Sequence, residues 1–168
     1  MKISEMLLPE LDQEIAVTRR VLERIPGDKF EWRPHEKSTP LGYLSRHIAV
    51  LPDWMGTAIE VESWDIAPVG GEAYGMPEAA TPAAVMSLLE RSADHARSVI
   101  SEASDEHMLK NWSLLRGGAV IFTQPRATVV RGLLNHLIHH RGQLSVYLRL
   151  NDVPVPSIYG PSADEGGW

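Results

Sequence analysis

The chain has 168 residues, 43% hydrophobic and 23% charged, a size and balance that suit one domain, residues 1–168, with a real core. Its 16 basic and 22 acidic residues leave a formal charge of −6 with no basic run, which disfavours nucleic acid as the main partner. With no cysteine, disulfides, thiolate metal sites and a protein-borne thiol nucleophile are excluded; any metal must sit on imidazole, carboxylate or carbonyl groups, and any thiol must come from a small molecule.

The chain opens on Met1 to Met6 without the apolar stretch of a signal sequence, and no segment reaches the roughly 18 to 20 apolar residues of a membrane span. The expected location is the cytoplasm. Leu8, Leu11, Ile15, Thr18, Leu22 and Ile25 then recur at steps of three and four, one face of a helix that Pro26-Gly27 stops. A second helix is expected from Thr39-Pro40, with Thr39 as N-cap and Pro40 in the first helical position. Leu41, Leu44, Ile48, Leu51 and Met55 form one stripe; Tyr43, His47, Val50 and Trp54 form another beside it. Pro52 cannot donate to the Ile48 carbonyl, which predicts a kink or break.

Residues 63–80, rich in Gly and Pro, read as turns. A third helix starts at Thr81-Pro82, with Val85, Leu88, Leu89, Ser92, Ala96, Val99 and Ala103 on one side and His95 at its shoulder. Residues 104–126 are irregular; Trp112 to Leu115 and Ala119 to Phe122 flank Gly117-Gly118 as a short hairpin would. The fourth helix runs from about Arg126 to Leu150. One face carries Val129, Leu133, His136, His140, Leu144 and Tyr147, the adjacent one Val130, Leu134, Leu137, Arg141 and Leu148. A helix apolar on two sides is central to a bundle or shared with a second subunit. Little strand signal and four amphipathic helices predict an all-α four-helix bundle. The long 104–126 connection leaves the order of helix directions open.

Seven histidines are present. His136 and His140, four residues apart on a helix, stand on one side with Cβ atoms about 5–6 Å apart, within reach of one metal. Two neighbouring core histidines would show the same spacing. His47, a third imidazole on an apolar arc of another helix, favours the metal, because three buried imidazoles otherwise leave several polar nitrogens to satisfy. His139 falls on the polar side with Asn135 and Gly142 and is left out. His35, His95 and His107 read as structural or exposed. His35-Glu36 is not followed by the second histidine of a His-Glu-x-x-His motif, and no Glu-x-x-His or Asp-x-x-His occurs, against a di-iron carboxylate bundle. Phosphate-cradling glycine loops and the Gly-x-Ser-x-Gly elbow are also missing.

The run His136-Leu-Ile-His-His140-Arg-Gly-Gln-Leu-Ser-Val-Tyr-Leu-Arg149 resembles the last-helix signature of the DinB-like superfamily. Leu44-Ser-Arg-His47-Ile48 is similar to the family's second-helix histidine context. The proline turn Asn151-Asp-Val-Pro154-Val-Pro156 and the tail Ser157 to Glu165 resemble its ends. The resemblance covers essentially the whole chain. It implies a four-helix bundle of up-down-down-up type with a long connection before the last helix, often a homodimer. It also implies one divalent metal, zinc or nickel, on His47, His136 and His140. Transferases and isomerases using low-molecular-weight thiols, and metal-dependent hydrolases, are the activities it implies.

Three neutral nitrogen ligands leave a position for water or a thiol, so the expected chemistry is a metal-activated nucleophile acting on a small-molecule substrate. No general base is named. Tyr147 reads first as a core tyrosine with a satisfied hydroxyl and only second as a pocket residue. Arg141 reads as structural or interfacial. Trp32, Trp54, Trp64 and Trp112 read as core, with a pocket wall as the other use. The rival function is a non-catalytic metal-binding or dimeric binding module, which a fourth protein ligand closing the shell would favour.

Overall fold

The structure, a computed structural model, describes residues 1–166. The elements in chain order are α1 (Ile3–Leu22), a 3-10 turn (Gly27–Lys29), α2 (Leu41–Glu60), β1 (Ser63–Asp65), α3 (Pro82–Glu102), α4 (Asp105–Leu109), β2 (Asn111–Arg116), β3 (Ala119–Pro125) and α5 (Arg126–Leu150). The expected helical bundle is present, and the fold is mostly helical, 57% helix, but it also carries a small three-stranded sheet that the all-α expectation did not include. In that sheet β1 lies parallel to β2 and β2 antiparallel to β3. Gly117 and Gly118, at φ +63° and +77°, make the tight hairpin turn that L side chains resist. β1 falls inside the stretch expected to be turns. Three residues carry no readable alternation; they become a strand because β2 offers them an edge.

Side-chain pairings give the helix directions. Asp12 meets Arg97 and Arg19 meets Glu90, so α1 and α3 are antiparallel. Glu10 meets Arg131 and Glu14 meets Arg141, so α1 and α5 run together. The Ile59 carbonyl meets Arg126 while the Thr39 carbonyl meets Tyr147, so α2 opposes α5. The four long helices therefore run up, down, down, up. The two apolar faces of α5 go to different neighbours: His136 and His140 face α2, and Arg141 faces α1.

The start of α2 differs from the expected cap. Pro40 is the N-cap and Thr39 makes no side-chain cap bond. The backbone of the preceding segment replaces it: the Trp32 carbonyl accepts from Leu41 N–H and the Phe30 carbonyl from Gly42 N–H, both at 2.8 Å. Gly42 permits this approach, since a Cβ there would lie 2.3 Å from the Phe30 ring. Thr81 does cap α3, accepting from Ala84 N–H at 3.2 Å. At Pro52 the helix runs on unbroken. Pro52 is buried in the helix that packs on both α3 and α5, and that enclosure holds helical dihedrals where a lone helix would break. The buried Arg126 guanidinium closes the far end of α2, donating to the carbonyls of Ile59 and Val61 and to Asn111 at the start of β2.

The most buried charge is Arg141, 1% exposed, paired with Glu14 at 2.6 Å. It also donates to the Glu14 carbonyl, to Thr18 Oγ1 and to the Tyr159 hydroxyl, and Tyr159 donates to Glu14 Oε2. Removing one partner strands the other charge, so Arg141→Met should cost about 3 kcal/mol of unfolding free energy in urea titrations. Arg141→Met with Glu14→Leu should recover part of it. A single-variant loss under about 1 kcal/mol would mean that the pair is not structural.

Candidate metal centre

α2 and α5 cross so that His47 faces His136 and His140. His47 Nε2 lies 3.2 Å from His136 Nε2, which lies 2.7 Å from His140 Nε2. Three nitrogens, one from each residue, fall within 4.8 Å of one another, and no other such gathering of three metal-binding side chains occurs among the described residues. All three rings are half-buried. Burial first, then the neighbouring imidazoles, disfavours protonation: His47 is pushed from 6.5 down to about 4, and His136 is lowered on the same causes. His140 is also lowered by burial, with Gln143 pulling the other way. The rings are therefore neutral at pH 7, the state a metal requires.

Two supports were not read from the sequence. The first is Gln143, whose Oε1 lies 2.7 Å from His140 Nδ1. An amide oxygen can only accept, so Nδ1 carries the proton and Nε2 presents its lone pair to the other histidines. The available signal was the i, i+3 spacing from His140. The second is Trp54, packed edge-on against His47 with centroids 5.3 Å apart. His47 Nδ1 is buried without a hydrogen-bond partner, so this packing holds the ring.

The remaining histidines are placed elsewhere. His139 and His35 are exposed. His107 Nε2 lies 2.7 Å from the Ile59 carbonyl. His95 sits between Asp53 and Glu60, at 2.7 and 3.0 Å; burial works against its charging, but the two carboxylates outweigh that and raise its pKa. Tyr147 donates to the Thr39 carbonyl and stacks edge-on to Trp32, its hydroxyl thus satisfied.

His136 also stands in the wall of a cavity of about 800 Å³ between the helices and the sheet, with Trp54, Trp64, Tyr74, Trp112 and Phe122. Trp54, Trp64 and Trp112 are thus pocket walls; Trp32 is not. Trp54, Trp64 and Tyr74 pack mutually edge-on, with centroids 5.0 to 5.8 Å apart. The sheet closes the side of this cavity that helices alone would leave open.

Fold and site together define a mostly helical bundle with a histidine triad at a cavity wall. The chain belongs to the DinB superfamily, whose family model matches residues 10–144. It is similar over 41 residues, at 42% identity, to the uncharacterized protein YrdA of Bacillus subtilis, a match spanning 24% of this chain and 25% of that one. Its fold is similar to the crystal structure of a DinB-like protein from Bacillus cereus, with TM-score 0.70 and 20% identity over 92% of this chain and 97% of that one. The DinB-like protein YjoA of Bacillus subtilis is similar at TM-score 0.67 and 16% identity, over 89% and 96% of the two chains. No described helix is long and apolar enough to cross a membrane.

Losing the Gln143 acceptor frees the His140 ring. If the triad holds a divalent metal, Gln143→Leu should weaken its affinity, read by competition with a chromogenic chelator, about 10- to 100-fold; an unchanged affinity would remove Gln143 from the site. His47 has a folded pKa below its unfolded one, so its contribution is present above about pH 6.5 and lost as pH falls through about 4. The metal-free protein should therefore lose thermal stability across that window more steeply than His47→Phe does. Parallel melting curves against pH would contradict this.

Proposed function

We propose that the chain binds one divalent transition-metal ion, zinc or nickel, on Nε2 of His47, His136 and His140, and uses it to activate a thiol or water nucleophile against a substrate in the adjoining cavity. The observation that carries this is the convergence of the three nitrogens on one point beside an aromatic cavity. The donor set fits a cation. His140 has already committed its proton to Gln143, and a single proton on His136 Nε2 can bridge to only one of its two neighbours. One lone pair more than there are protons therefore points inward.

Bound there, such an ion supplies a Lewis acid that lowers the pKa of a thiol or water in its remaining position. The chain's own residues do the rest. Gln143 fixes the tautomer of His140, and Trp54 holds His47 in place. Trp54, Trp64, Tyr74 and Phe122 exclude water and provide faces for an apolar or planar substrate. With no cysteine in the chain, any thiolate comes from a small molecule. The described residues place no carboxylate within the triad, and a set of three ligands leaves room for a reactant.

Purified protein, reconstituted with zinc or nickel and desalted, should hold about one equivalent. Less than about a tenth of an equivalent would sink the site. His47→Ala should weaken binding as much as His136→Ala does. Cobalt-loaded protein should change its visible spectrum when a small thiol is added. A spectrum indifferent to thiols and other small ligands, with metal fully bound, would favour a non-catalytic metal module.

A further inference from the structure

The cavity wall away from the histidines is made by one face of the β2–β3 hairpin, and its polar groups are one-sided. Trp112, Leu114 and Arg116 alternate along β2, and Phe122 and Gln124 face the cavity from β3. Trp112 and Gln124 stand opposite each other in the ladder. Among the lining residues there is one cation, Arg116, and no carboxylate. Arg116 is exposed and makes no salt bridge or side-chain hydrogen bond among the described residues, whereas Arg19, Arg24, Arg97, Arg131, Arg141 and Arg149 are each paired with an acid. Asp65, which pairs with the neighbouring Leu115 in the sheet, is already engaged, accepting from the backbone N–H groups of Ala67, Gly117 and Gly118. That clamp also fixes the turn that follows Arg116.

The cavity's other polar groups carry no charge to compete with it. The Trp112 indole N–H is sealed inside the wall without a partner, out of reach of a cavity occupant. The exposed Tyr74 hydroxyl accepts from Trp54 Nε1 at 3.0 Å and spends its own proton on no described residue. Gln124 can donate or accept. The cavity is thus apolar and aromatic in body, with one cation and no carboxylate on its wall. An unpaired guanidinium beside aromatic walls matches a planar anion.

We propose that the substrate is an organic carboxylate with an apolar, planar body, and that Arg116 binds the carboxylate while the aromatic walls bind the body. A carboxylate is favoured over a phosphate because one cation balances one charge, and the guanidinium fork fits two carboxylate oxygens in its plane. The inference names a substrate class for the cavity on which the metal reading also rests. Its test therefore uses metal-free protein, so that a carboxylate cannot bind a metal instead.

The probes are naphthoate, its neutral analogue naphthalenemethanol, and naphthyl phosphate, titrated calorimetrically into the protein in the presence of chelator. Naphthoate should bind about ten-fold more tightly than the alcohol, the worth of one charge-assisted pair at a partly exposed site. Arg116→Gln should remove that preference while leaving affinity for the alcohol unchanged, and Arg116→Lys should keep part of it. Arg116 is exposed at the hairpin end, and an unchanged melting temperature of each variant verifies the fold. Equal binding of acid and alcohol, a preference that survives Arg116→Gln, no saturable naphthoate binding, or tighter binding of naphthyl phosphate would each overturn the proposal. None of these outcomes bears on whether the histidines hold metal.

Discussion

The rotation of α5 about its own axis is the constraint on which the site depends, and the buried pair of Arg141 and Glu14 sets it. Consecutive residues on a helix point about 100° apart. With Arg141 locked toward α1 by Glu14, Thr18 and Tyr159, His140 and His136 are turned toward α2, where His47 waits. A hydrophobic contact in the same place would hold the helix less strictly, because a Leu tolerates a small roll and a buried guanidinium with four acceptors does not. The tail takes part through Tyr159, which is why a segment after the last helix matters to a site in the middle of the bundle. Arg149 with Asp164 and Arg24 with Glu165 pin that tail down.

The long helices were legible in the sequence because burial on one face writes a period of 3.6 into the residues. The fourth helix was read with its actual bounds, Arg126–Leu150. The two apolar faces of that helix, read as central or shared, belong to α1 and α2 of the same chain. What could not be read was whatever depends on a distant partner. β1 is a strand only because β2 lies beside it, and α2 is capped by carbonyls of Phe30 and Trp32 rather than by Thr39. Pro52 was expected to kink or break α2, since local chemistry says so; the helix is not broken there, because packing on both sides outweighs the lost hydrogen bond.

The site divides in the same way. The three histidines were nameable from spacing and amphipathicity, because a polar imidazole on an apolar face is anomalous. Gln143 was not, because a glutamine on a polar helix face is ordinary until its partner is known. The cavity was half legible: tryptophans at 54, 64 and 112 are large enough to be walls, but only the sheet shows which of them share a space. Arg116 carried no signal, since an arginine before Gly-Gly reads as a surface residue. The sheet turns a bundle with a histidine triad that could hold a metal into one with a cavity of about 800 Å³ beside it. That pairing is what joins the proposed metal chemistry to a reactant.

The central claim is that three imidazoles, and no other side chain, form the protein's share of the metal shell. X-ray absorption spectroscopy of the zinc-loaded protein tests it most directly. The account predicts three imidazole nitrogens at about 2.0–2.1 Å, identified by scattering from their rings, with one water oxygen or, on adding a small thiol, one sulfur in the fourth position. A shell with fewer than three imidazoles, or one closed by a carboxylate of the chain, would contradict it.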